Sequence, residues 1–145
     1  MNNITQALDS EPFEPKALAS GSELPSSPTI LLVEDESLVR KAAAEALQSD
    51  GYEVLTAPNG AQALQLCSER SGRLNLLLSD IVMPGMNGCE LARAFQLLCP
   101  RARVLLMSGY ARELSSPLLS AASYLSKPFS ADTLLRTVRE LLTPQ

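Results

Sequence analysis

The chain has 145 residues, 46% of them apolar, and a net charge of −4. That length suits one domain with a real core, and the charge balance gives no strongly basic surface for direct nucleic-acid binding. No apolar run nears the ~18 residues a bilayer span needs, and there is no histidine, so a Ser-His-Asp or Cys-His centre is excluded within this chain.

Residues 1–27 read as a disordered leader. The stretch up to Pro28 holds four of the ten prolines, with Ser, Gly and acids between them, and it lacks sustained periodicity. Four acids, Asp9, Glu11, Glu14 and Glu23, stand against Lys16 there. A short amphipathic helix near Ile4–Leu8 is the one regular element the leader suggests. The start MNNITQALDSEPFEP lacks the basic and apolar regions of a signal peptide, so the location expected by default is cytoplasmic, with no membrane contact.

From Thr29 the pattern changes to alternating strands and helices. TILLV is a short apolar strand. The segment EDESLVRKAAAEALQSDG follows, with Leu38, Val39, Ala42, Ala43, Ala46 and Leu47 at helical spacing and Gly51 as its stop. YEVLTA is the second strand, and Asn59 caps a helix over Ala61–Glu69. LNLLLS is the third strand and runs into Asp80. Pro84 and Gly85 break the chain, and Asn87 caps a helix from Gly88 to Leu98 that ends before Pro100. RVLLMS is the fourth strand. ARELSSPLLS is a weak fourth helix, interrupted by Pro117. ASYLS is the fifth strand, and SADTLLRTVRELL is the last helix, capped by Ser130 with Leu134, Leu135, Val138 and Leu141 on one face.

Five rounds of β then α imply a parallel sheet with helices on both faces. Residues 28–145 therefore read as one α/β domain. The common five-stranded order is 2-1-3-4-5, the flavodoxin-like order, with a ligand crevice at the carboxyl ends of strands 1 and 3. In that order Glu34, Asp35, Asp80, Ser108, Ser126 and Lys127 gather at one sheet edge. Two carboxylates ~4 Å apart repel by about 4 kcal/mol at an effective dielectric of 20. A divalent cation with oxygen ligands removes that repulsion, and Mg²⁺ prefers few carboxylates plus water. A cation, a lysine and a hydroxyl converging on one carboxylate are the parts of phosphoryl transfer.

Each residue also has a plainer use. Glu34 and Asp35 suit a helix start, Asp80 a turn, Ser108 before Gly109 another turn, Lys127 a solvated surface, and Tyr124 the core. Tyr110 either shapes access beside Ser108 or packs. Cys67, Cys89 and Cys99 have no metal-ligand spacing and read as reduced packing residues.

VEDE, LLLSDIVMPGMNG, MSGY and YLSKPF, in that order, resemble the receiver domain of two-component response regulators, from Thr29 to Leu142. MSGY in particular resembles receivers of hybrid histidine kinases. The resemblance implies that Asp80 accepts a phosphoryl group from a phosphohistidine of a histidine kinase or phosphotransfer protein. It implies Mg²⁺ held by Glu34, Asp35, Asp80 and the backbone carbonyl of Val82. Ser108 and Lys127 then contact the phosphoryl group, with a cis bond between Lys127 and Pro128. Tyr124 matches the family's rotameric switch, coupled to a downstream protein on the face of the fourth helix, fifth strand and fifth helix. The expectation is a single-domain regulator without an output domain, a signalling switch and not a metabolic enzyme. Two positions depart from the commoner pattern. Glu34 stands where Asp is usual, and its longer arm favours contact through water; Ser108 stands for the frequent Thr. Two other functions compete: an aspartate-nucleophile phosphatase, which usually carries a second acid where this chain has Val82, and a receiver-like binding domain that is never phosphorylated.

Overall fold

The computed structural model of the chain describes residues 27–70, 73–109 and 122–143. The expected leader up to residue 26, with its Ile4–Leu8 helix, lies outside them. So do Tyr110, Pro117 and the expected fourth helix.

Five strands form one parallel sheet: β1 (Thr29–Val33), β2 (Glu53–Ala57), β3 (Leu76–Asp80), β4 (Arg103–Ser108) and β5 (Ser123–Ser126). Their order is β2-β1-β3-β4-β5, the flavodoxin-like order expected from the sequence. Four helices are described: α1 (Ser37–Ser49), α2 (Gly60–Glu69), α3 (Gly88–Leu98) and α4 (Ala131–Leu142). This α4 is the fifth and last helix of the sequence reading.

The central strands β1, β3 and β4 are largely apolar because both of their faces are buried, whereas the edge strands β2 and β5 carry exposed positions. Successive side chains point to opposite faces. Leu31, Val33, Leu77 and Leu106 therefore meet Ala63 and Cys67 of α2 and Leu91 and Phe95 of α3. Ile30, Leu32, Leu78, Leu105 and Met107 meet Ala44 and Leu47 of α1 and Leu134 and Val138 of α4. The sheet thus separates two cores. Burial pushes the Cys67 thiol up to about 11, with Cys99 adding to the effect, which fits inert packing cysteines.

The helix ends follow their local chemistry. Asn59 accepts from the Gln62 amide, Asn87 forms a full capping box with Glu90, and Ser130 accepts from the Thr133 amide. Gly51 stops the first helix at φ +97°, a conformation that favours glycine.

One pattern turned out differently. Of the apolar stripe on α1, only Leu47 is fully buried; Ala44, from outside that stripe, shares the core with it. Leu38 and Ala42 are exposed, and Leu38 is 82% so. A helix with four alanines can turn more than one small-residue face inward, so its spacing alone does not fix the buried side.

Candidate functional site

Register, not sequence distance, assembles the site. Val33 of β1 pairs with Ser79 of β3, Asp80 with Met107 of β4, and Ser108 with Ser126 of β5. The ladder continues one residue past the strands. The Glu34 amide donates to the Ala57 carbonyl at 3.2 Å, Ile81 to Met107 at 3.0 Å, and Lys127 to Ser108 at 2.7 Å. Backbone hydrogen bonds therefore fix where Glu34, Asp80, Ser108 and Lys127 begin, all at the carboxyl edge of the sheet.

Glu34, Asp80 and Ser108 are buried, Lys127 is half-buried and Asp35 is exposed at the mouth. Glu34, Asp35 and Asp80 can each offer one carboxylate oxygen, all within 4.8 Å of one another. Each ionised pair at that separation costs roughly 3 kcal/mol at an effective dielectric of 20. Lys127 offsets part of this. Its Nζ donates to Asp80 Oδ2 at 2.8 Å and to Glu34 Oε1 at 3.4 Å.

The remaining oxygens are also engaged. The Glu36 amide donates to Glu34 Oε2 at 3.1 Å, and the Val82 amide donates to Asp80 Oδ1 at 3.3 Å. Arg40 Nη1 donates to the Glu34 backbone carbonyl at 2.7 Å. Burial raises the Glu34 pKa above the usual 4.5; the Glu36 amide and Lys127 oppose this, and the Asp80 charge adds to it. Burial works against the Lys127 ammonium, but the hydrogen bond and charge of Asp80, with Glu34 behind them, hold its pKa above the usual value.

Such a donor set suits a hard divalent cation: oxygen ligands, one carboxylate at the open mouth, and excess negative charge over a single lysine. A soft metal would want thiolate or imidazole, and neither group is present in this acid cluster.

Ser108 ends β4 one residue beyond Met107, the register partner of Asp80. The Lys127–Pro128 bond is cis, as the resemblance implies. Val82 leaves the acid cluster with its side chain 54% exposed. Tyr124 sits elsewhere. It pairs with Leu106 in register and packs against the core shared by α2 and α3, about 10 Å along β5 from Lys127. Its hydroxyl is buried and, among the described residues, has no hydrogen-bond partner.

Two contributors escaped the sequence reading. Gly88 lies directly under the strand end: a Cβ there would sit 2.8 Å from Ile81 Cα and 3.0 Å from the Asp80 carbonyl carbon. Arg40 is one of two basic residues on α1, beside Lys41. Neither contact leaves a periodic signal. A cleft of ≈ 520 Å³ also opens beside the acids, lined by Glu34, Glu36, Leu38, Val39, Lys127 and Phe129 among others. No helix among the described residues is long and apolar enough to cross a membrane.

Known proteins share this fold. Residues 30–139 match the response regulator receiver domain family. The chain is 39% identical over 133 residues to the sensor kinase CckA of Brucella abortus (strain 2308), covering 90% of this chain and 14% of that kinase. It is 37% identical over 116 residues to the response regulator receiver protein CpdR of the same strain, covering 78% of this chain and 95% of CpdR. Response regulator TrrA of Thermotoga maritima, solved in complex with Mg²⁺ and BeF, aligns with a TM-score of 0.71 and 37% identity over 79% of this chain and 99% of TrrA. TrrA has also been solved in complex with histidine kinase ThkA. Sequence, strand order and near-complete coverage of CpdR agree, and this chain belongs to the response regulator receiver domain family.

Proposed function

We propose that this receiver is a Mg²⁺-dependent phosphoacceptor, in which Asp80 takes a phosphoryl group from a phosphohistidine of a histidine kinase or phosphotransfer protein. The observation that carries the reading is the Asp80 carboxylate itself. It stands at the open edge of the sheet, 2.8 Å from the Lys127 ammonium and within 4.8 Å of Glu34 and Asp35 oxygens.

In the transfer, an Asp80 carboxylate oxygen attacks phosphorus. The P–N bond to the donor imidazole breaks, and its electron pair returns to the ring nitrogen. The backbone fixes Asp80 on β3, so the nucleophile is preorganised. Lys127, now on Oδ2, shifts its ammonium to a phosphoryl oxygen as charge moves there. Ser108 donates its hydroxyl to another phosphoryl oxygen. Glu34, Asp35, Asp80 and the Val82 carbonyl would hold the cation. Bound there, Mg²⁺ supplies positive charge against the phosphoryl oxygens.

Tyr124 is the proposed link to the outside. Inward packing of Tyr124, whose buried hydroxyl has no hydrogen-bond partner among the described residues, accompanies movement of Ser108. Movement of Ser108 toward the phosphoryl group shifts β4 and β5, and with them the face of β5 and α4, to which the resemblance adds the fourth helix of the sequence reading. A downstream protein reads that face. Receiver domains are signalling domains, and TrrA with ThkA shows one engaging a histidine kinase; a cytoplasmic kinase domain is the donor we propose here. Val82, apolar at the second position after Asp80, supplies no second acid of the kind a phosphatase would use.

Incubation with Mg²⁺ and acetyl phosphate, followed by intact mass, tests the proposal. A gain of ~80 Da, the mass of one phosphoryl group, is expected for the wild type and not for Asp80→Asn. Labelling retained in Asp80→Asn would sink the assignment.

A further inference from the structure

The geometry points to Arg40 as a positioning residue for the acid cluster, acting through the backbone of Glu34. The inference rests on the Mg²⁺-dependent reading above and adds to it a residue outside the acids, Ser108 and Lys127.

Glu34 is held at four points. Its amide donates to Ala57 of β2, its Oε2 accepts from the Glu36 amide, its Oε1 accepts from Lys127, and its carbonyl accepts from Arg40 Nη1 at 2.7 Å. The first tie is backbone to backbone, the second runs from a backbone amide to the Glu34 side chain, and the third belongs to the site. Arg40 is the side chain that reaches in from α1.

The carbonyl it holds is half of the Glu34–Asp35 peptide, and that peptide is planar. Fixing the direction of the carbonyl fixes the plane, and with it the point from which Asp35 projects its carboxylate. The tie falls where the turn is otherwise weakest. Glu36 occupies the cap position of α1 without a side-chain capping bond. A guanidinium hydrogen bond is charge-assisted and directional, so it suits this role better than a lysine.

Two effects of Arg40 on a bound cation have opposite signs. As a nearby positive charge it repels the cation, so removing it by electrostatics alone would tighten Mg²⁺ binding. As a tie on the Glu34–Asp35 peptide it preorganises two ligands, so removing it loosens them. Supporting contacts of this kind typically change metal affinity by 10-fold or more.

The test is calorimetric titration of the full chain with Mg²⁺, as wild type, Arg40→Met and Arg40→Lys, alongside thermal melts without metal. Arg40→Met is expected to weaken Mg²⁺ binding about 10-fold, while Arg40→Lys, which keeps the charge and a donor but not the planar guanidinium, recovers only part of the loss. Binding by Arg40→Met that is equal to or tighter than wild type overturns the inference, and so does a lowered melting temperature with unchanged affinity. If Arg40→Met does not fold, Arg40→Gln, also uncharged, takes its place under the same criteria. Absence of Mg²⁺ binding in the wild type defeats the underlying reading as well, and it is seen before any substitution is made.

Discussion

Glu34 is where the chemistry of single residues is most exposed to test. It is 1% exposed, and burial raises its pKa above 4.5. A carboxyl whose folded pKa is raised contributes stability that is complete below its unfolded pKa and is lost as pH rises through the folded one. In metal-free buffer, Glu34→Gln removes that loss. The stability of Glu34→Gln relative to wild type is therefore expected to grow as pH rises from about 4.5 toward neutral. Lys127 does not confuse this window. Its pKa lies above the usual 10.5, so its contribution is complete at neutral pH and falls only at alkaline pH. On the proposed Mg²⁺ site, saturating Mg²⁺ is expected to reverse the order, because the wild type gains binding free energy, about 2.7 kcal/mol at 100 times its dissociation constant, of which the variant recovers less. Thermal melts with EDTA and with Mg²⁺, across that pH range, measure both arms. A variant no more stable than wild type in EDTA at neutral pH would count against a buried, costly Glu34.

The join between β3 and α3 shows what an element needs in order to hold a site. Gly88 begins α3 with its amide on the Ile81 carbonyl at 2.8 Å. A Cβ would meet backbone atoms of Ile81 and Asp80, which cannot yield separately. Gly88→Ala is expected to cost about 1–3 kcal/mol by overpacking and to slow acetyl phosphate labelling, because the atoms displaced carry Asp80. Gly60→Ala is the contrast: its Cβ would press on the Met86 side chain, with Sδ at 2.8 Å, and a thioether chain can repack. Urea unfolding and labelling rates of both variants separate the two outcomes; equal behaviour would mean that the strand end itself adapts. The same join marks the limit of what sequence reveals. Five strands were legible because each is a short β-type segment, largely apolar in β1, β3 and β4, with a turn signal after it, and β2-β1-β3-β4-β5 is the common order for such alternating elements. That order then gathered Glu34, Asp35, Asp80, Ser108 and Lys127 without any geometry. The buried face of α1 was not legible, because alanines at several positions pattern equally well. The close approach of Gly88 and the reach of Arg40 to Glu34 were not legible either, since contacts to backbone atoms leave no periodicity behind.

At the scale of the whole molecule, the sheet edge is both a chemical site and part of a surface. Asp80 is 7% exposed, so on the proposed function a phosphohistidine is expected to reach it only when its protein settles over the edge. The rim it would meet is partly apolar. Leu38 is 82% exposed, Val39 37% and Val82 54%, and Leu38 and Val39 line the cleft that contains Glu34 and Lys127. Apolar side chains left in water beside a charged site favour a partner that covers both. A small donor such as acetyl phosphate needs no such cover. Leu38→Ser is therefore expected to leave stability within about 0.5 kcal/mol of wild type, as for other exposed positions, and labelling by acetyl phosphate unchanged. Transfer from a phosphorylated histidine kinase or phosphotransfer domain should fall, by about tenfold for a contact worth about 1.4 kcal/mol. Quench-flow transfer from a phosphorylated donor protein, run beside acetyl phosphate labelling of the same two chains, makes the comparison. Equal loss with both donors would place Leu38 in the chemistry of the site, and no loss with either would leave the apolar rim outside the donor's footprint.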